Sequence, residues 1–162
     1  MINLRQAIGL FGENEIEFVI VGGIAITLHG SSYLTADLDL CYKRSKDNLE
    51  RIAAALSPHR PRLRGAPEGL PFVWDAETLR RGMNFTLTTD LGDIDLLGEV
   101  AGVGGYEEAR AASVAFTLYG HEAHVLSLDA LIQSKRAAGR PKDLLVLPEL
   151  EALREVLESK KD

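Results

Sequence analysis

An α+β domain (α/β in its alternation) is predicted from three features of the sequence. Short apolar runs with strand-like alternation are interleaved with helical segments. The last part of the chain turns wholly helical. No repeat, low-complexity tract or clear linker divides the 162 residues. The whole of 1–162 therefore reads as one domain, with a core over about 1–126 and a helical tail over about 127–162.

The elements follow in order. Asn3 is placed to cap a helix whose apolar face is Leu4, Ala7, Ile8 and Phe11, and Gly12 ends the run. Glu17 to Val21 reads as a short buried strand, broken by Gly22-Gly23. A short apolar helix follows, closed by Gly30. Ser31 to Ala36 is loop, and Asp37 to Tyr42 alternates with period two as a strand. Residues 47–56 suit an amphipathic helix. Residues 58–71 contain Pro58, Pro61, Pro67 and Pro71, and read as an irregular, mobile connection. Asp75 caps a short helix through Arg81. Residues 84–89 and 93–97 form a hairpin around Asp90-Leu91-Gly92, and 114–119 pairs with 123–126 around Gly120. Residues 101–105 are loop and 106–112 are a turn or two of helix. Ser127 opens a helix carrying Leu128, Leu131 and Ile132, which Gly139 ends. Pro141 and Pro148 each suit a first helical position, and a last helix covers about 149–160.

Composition narrows the function. Apolar residues make up 46% of the chain, enough for a sizeable core, and argue against disorder. The formal net charge of -6 argues against coating nucleic acid by bulk charge. The single cysteine, Cys41, rules out an internal disulfide and fits a reducing compartment. No apolar run is long enough to span a bilayer, and the N-terminus reads as a first helix and not as a signal peptide, so a cytoplasmic location is expected.

The chemistry-bearing residues are acidic. Side chains two apart on a strand share a face, about 6.5–7 Å apart along the chain. Asp37 and Asp39 therefore share one face, with Leu38, Leu40 and Tyr42 on the other. Asp93 and Asp95 behave alike on their own strand. If the two strands are neighbours, three or four carboxylates converge. Such a cluster repels itself, so its members either raise one another's pKa or need a cation, and hard divalent ions with oxygen ligands, Mg²⁺ above all, are the natural answer to the second case. Taken alone, Asp37 and Asp39 read slightly better as the wet face of an ordinary strand. The glycine pair Gly22-Gly23, between a strand and a helix, shifts the balance, because bare backbone there can approach a phosphate.

Together these residues resemble the nucleotidyltransferase superfamily of the DNA polymerase β fold. The stretch VIVGGIAITLHGSSYLTADLDLCY, followed later by GDIDLL, is similar to its strand, glycine turn, helix, Asp-x-Asp strand and third Asp. The nearer likeness is to small bacterial toxin nucleotidyltransferases of the AbiEii and MenT kind, through Gly22, Gly23, Ala25, His29, Gly30, Thr35, Asp37 and Asp39. LIQSKRAAGRPKDLLVL extends it. Residues 43–83 match least. The chain departs at Tyr33, where relatives often carry Arg, which implies weaker nucleotide binding or another base in that role.

The resemblance implies a minimal nucleotidyltransferase fold: a small mixed sheet, flanking helices and a helical tail. It implies Asp37, Asp39 and Asp95 as catalytic residues and metal ligands, with two Mg²⁺ ions when NTP is bound. Asp95 would help deprotonate the acceptor and is preferred to Asp93. Gly22, Gly23, Thr35, Lys135 and Asp143 would bind nucleotide. The expected reaction moves an NMP from an NTP to a hydroxyl of RNA, protein or a small molecule, with a toxin role and an antitoxin partner protein also implied. The alternatives are an antibiotic-modifying adenylyltransferase and a non-catalytic module that keeps the fold. Haloacid-dehalogenase phosphatases and sugar transferases also use Asp-x-Asp but fit less well.

Other signals read as structural. His29 ends a helix and suits a capping role. Cys41 has no evident His partner and suits packing. His121 and His124 lie in a hairpin and lack the zinc-protease spacing. Gly102, Gly104 and Gly105 suit a flexible loop. Arg60, Arg62 and Arg64 are either a polar connection or a contact to an acceptor nucleic acid, the former being the commoner case.

Overall fold

The computed structural model describes residues 1–67 and 69–160. Seven strands form one mixed sheet: β1 (Phe18–Val21), β2 (Leu38–Tyr42), β3 (Arg62–Leu63), β4 (Asn84–Thr89), β5 (Gly92–Leu97), β6 (Ser113–Leu118) and β7 (His121–Leu126). Their spatial order is β3-β4-β5-β2-β1-β7-β6. The hairpins β4–β5 and β6–β7 lie on either side of the central antiparallel pair β1–β2, to which β5 and β7 add in parallel.

Helices flank the sheet: α1 (Leu4–Glu13), α2 (Gly22–Leu28), α3 (Lys46–Leu56), α4 (Ala76–Arg81), α5 (Tyr106–Ala111), α6 (Leu128–Ala138) and α7 (Pro141–Ser159). Short polar side chains start four of them. Asn3, Ser45, Asp75 and Ser127 each accept a hydrogen bond from a backbone N–H in the first turn. Leu38, Leu40, Tyr42, Phe18 and Ile20 share one sheet face and are all buried. Phe11 of α1 meets Phe18 there edge to face. Asn48 of α3 is buried, and its amide bonds the N–H and C=O of Glu17 and the C=O of Lys43. This ties α3 to the ends of both central strands.

Four local expectations are corrected. The 58–71 connection is not wholly irregular, since β3 pairs with β4 within it. The β4–β5 turn has two residues between the paired ends, not three, because Gly92 is paired with Thr89. Asp37 lies just before β2 and not in it. The tail is one helix from Pro141 to Ser159, with Pro148 in its interior. A proline there lacks the N–H for the preceding turn's carbonyl, yet burial of Val146, Leu147 and Leu150 carries the helix across the break. No helix of the described residues is long and apolar enough to cross a membrane.

Candidate active site

Strand register builds the site. Val21 of β1 lies opposite Asp39 of β2, Asp39 opposite Asp95 of β5, and Asp95 opposite Thr86 of β4. Arg64, one residue past β3, continues this row by donating its backbone N–H to Thr86 O at 3.0 Å. Residues paired across a sheet point to the same face, so the row is one line of side chains over five chain segments. The sequence supplied Asp39 and Asp95 by alternation; the parallel pairing of β2 with β5 aligns them.

Carboxylate oxygens of Asp37, Asp39 and Asp95 lie within 4.8 Å of one another. Asp39 Oδ1 is buried without a hydrogen-bond partner. Burial, then the neighbouring Asp95 and Asp37 carboxylates, push the Asp39 carboxyl up to about 7, with Lys135 acting in the opposite sense. A buried, unpaired carboxylate oxygen beside two more carboxylates is a donor set suited to a hard divalent cation. The three residues are therefore able to hold one. Asp93 stands apart from this trio and meets only the edge of the site, through Arg64.

Gly22 explains itself by contact. Its φ is +68°, and a Cβ there would fall 2.1 Å from Asp39 Oδ2. A Cβ on Gly23 would fall 2.7 Å from Thr35 Cβ. The glycine pair thus admits the Asp39 carboxylate and the Thr35 side chain against the backbone. Thr35 Oγ1 also meets the Asp37 N–H at 3.4 Å, steadying the turn into β2.

From Asp39 a cleft of about 190 Å³ opens toward α6 and α7. Gly22, Val100, Leu131, Lys135, Arg140 and Asp143 are among its walls. Lys135 borders the buried face of α6, as its spacing from Leu131 and Ile132 predicts, and its Nζ lies 3.1 Å from Asp143 Oδ1. Asp143 is fully buried. Burial works to raise its carboxyl, but hydrogen bonds from Arg140 and Lys135 and their charges hold it down at about 2. Arg140 closes the other side, with Nε 2.6 Å from Asp143 Oδ2. Asp143 therefore holds two cations at the cleft wall. Tyr33 is not part of this wall; it is largely exposed, and its carbonyl accepts from Thr27 Oγ1.

Opposite the cleft, Arg64 meets the cluster. Its Nη2 lies 2.7 Å from Asp95 Oδ1 and donates also to Leu87 O at 2.7 Å. Nη1 is 3.5 Å from Asp37 Oδ2, and Nε is 3.3 Å from Asp93 Oδ2. The sequence reading missed this role. The period-two spacing of Arg60, Arg62 and Arg64 was the available strand signal, masked by Pro61 and Pro67. His29 and Cys41 are structural. His29 Nε2 lies 2.8 Å from Leu126 O, and Cys41 is buried, its thiol pushed up to about 11 by burial and then by Glu108.

No protein-family model and no curated protein matches the chain. Solved structures do. A candidate nucleotidyltransferase from Thermotoga maritima aligns with 98% of this chain and 96% of its own, at TM-score 0.58 and 16% identity. The antibiotic-resistance factor ANT(2″)-Ia aligns at TM-score 0.53 in two structures, at 16% and 18% identity. Each alignment covers 98% of this chain, and 90% and 97% of the respective neighbour. One of those holds adenylyl-2″-tobramycin.

The fold is that of the nucleotidyltransferases.

Within that nucleotidyltransferase fold, the sheet and the clustered carboxylates are the parts that the sequence predicted, while the guanidinium is brought to them by the β3–β4 pairing.

Proposed function

We propose that the chain transfers a nucleoside monophosphate from an NTP to an acceptor hydroxyl, with divalent cations, Mg²⁺ in the cell, held by Asp37, Asp39 and Asp95. The observation that carries this reading is the convergence of those three carboxylates on one end of a cleft whose other wall offers Lys135 and Arg140. Bound cations would supply neutralisation of triphosphate charge and polarisation of the α-phosphoryl group. Lys135 and Arg140, steadied by Asp143, meet the phosphates from the other wall. Arg140 takes over the part that Tyr33 cannot play. Gly22 and Gly23 leave bare backbone beside the phosphates, and Thr35 braces that turn. The acceptor oxygen approaches from the side of Asp95, which accepts its proton. The bond from that oxygen to the α-phosphorus forms as the bond to the bridging oxygen breaks, and pyrophosphate leaves. The chain's contribution is positioning and charge.

The resemblance to toxin nucleotidyltransferases supports RNA as acceptor and an antitoxin protein as partner. ANT(2″)-Ia, found with an adenylylated aminoglycoside, supports a small molecule instead. Incubation with each labelled NTP, Mg²⁺ and a total cell lysate separates these. Label in RNA, in protein or in the small-molecule fraction names the acceptor. Absence of label from every NTP, together with absence of Mg²⁺-dependent NTP binding, leaves the non-catalytic alternative.

A further inference from the structure

The geometry points to Arg64 as a built-in cation seated on the acceptor side of the carboxylate cluster, where it competes with a divalent cation for Asp37 and Asp95. This rests on the nucleotidyltransferase reading of the same site. Three observations carry it.

The first is charge. One guanidinium lies within 3.5 Å of oxygens on Asp37, Asp93 and Asp95, yet it makes no ion pair with Asp39. The cluster is therefore divided. Asp39, half-buried and with its Oδ1 buried and unpaired, faces the cleft and is open to a cation. Asp95 Oδ1 and Asp37 Oδ2 already face a cation, the one charge of Arg64 being shared with Asp93. The second is direction. An in-line displacement needs the attacking and leaving oxygens on opposite sides of the phosphorus. The triphosphate side is the cleft with Lys135, so the acceptor side is that of β4 and β3, where Arg64 sits. Arg64 Nη2 lies 2.7 Å from Asp95 Oδ1, so the guanidinium occupies the place from which a cation would reach that oxygen. The third is attachment. β3 is a two-residue edge strand, and Gly65, directly after Arg64, has φ +78°. A short edge held by few ladder bonds and followed by a left-handed glycine can release its arginine at low cost. Arg64 is thus a positioning residue that sets when the acceptor side takes a cation.

The test measures Mn²⁺ binding without nucleotide, by calorimetry on the full chain. Removing a charge this close to the ligands should tighten binding by roughly tenfold in Arg64→Ala. Arg64→Lys should restore most of the wild-type value. Arg60→Ala removes an equal charge that pairs with Asp90 instead, and should leave the affinity within about twofold. Wild-type protein gives a measurement that needs no variant: Mg²⁺ should shift the Arg64 Nε–Hε resonance as the guanidinium leaves the carboxylates. Equal Mn²⁺ affinity in wild type and Arg64→Ala, or an Arg64 resonance unmoved by saturating Mg²⁺, overturns the competition and leaves the transferase reading standing. If no variant binds Mn²⁺ at all, both readings fall together.

Discussion

Lys135 is placed to serve both stability and the proposed nucleotide binding. It is paired with the buried Asp143 and also faces Asp39 across the cleft. Lys135→Ala should weaken NTP binding by roughly tenfold, as a fluorescent NTP analogue would report, and Lys135→Arg should restore part of it. Because Arg140 still holds Asp143, the loss of stability should stay near 1 kcal/mol in denaturant melts. Unchanged affinity would reduce Lys135 to a structural partner of Asp143. Gly22 is less forgiving. Gly22→Ala places a methyl against Asp39 Oδ2 at a positive φ, and should cost about 1–3 kcal/mol while displacing the carboxylate. Full stability and normal cation affinity in Gly22→Ala would mean that the backbone moves aside freely. Of the residues named from sequence, Asp37, Asp39 and Asp95 were legible from local spacing together with the glycine turn and the family resemblance, though only the β2–β5 pairing brings Asp95 to Asp39. Arg64 was not, since its role depends on a pairing between segments that local sequence does not encode.

At the scale of elements, the tie between α6 and α7 is ionic and buried, and so it is acid-sensitive. Asp143 is held at about 2 in the folded chain, below its ordinary value of 3.8. A carboxyl depressed on folding contributes stability above its unfolded value, and that contribution is lost as pH falls from about 4 to about 2. Asp143→Asn should therefore lower the stability at pH 7 by several kcal/mol, with the gap to wild type narrowing below pH 4 in urea titrations. A gap independent of pH would assign the loss to packing and not to charge. Most elements were readable from caps and periodicity: Asn3, Asp75 and Ser127 each stand where their residue type predicts. Two were not. Pro148 signals a helix start, but tertiary burial on either side of it overrides that signal. The prolines around β3 signal a loop, but an edge strand of two residues tolerates them.

For the whole molecule, the carboxylate cluster sets fold against function. Without a cation the folded chain holds the Asp39 carboxyl at about 7, far above 3.8. A carboxyl raised on folding stabilises the chain below the unfolded value and loses that contribution as pH rises toward the folded one. In a chelator, stability should fall from about pH 4 to pH 7, and Asp39→Asn should remove that decline. Mg²⁺ should raise the wild-type thermal midpoint more than NaCl of equal ionic strength, and should not do so for Asp39→Asn. Identical melts with Mg²⁺ and with NaCl would argue that the cluster takes no ion.

The position of Arg64 in the chain also matters during synthesis. Asp39 leaves the ribosome first, and the cations of α6 and α7 follow roughly a hundred residues later, some 5–20 s at usual elongation rates. Arg64 emerges between them, soon after Asp39 and before Asp93 and Asp95. Once β4 and β5 have followed it, a nascent chain that builds this side of the sheet has a counter-charge for the acidic row before Lys135 and Arg140 exist. The guanidinium proposed to stand on the acceptor side is thus also the first counter-charge available to the row.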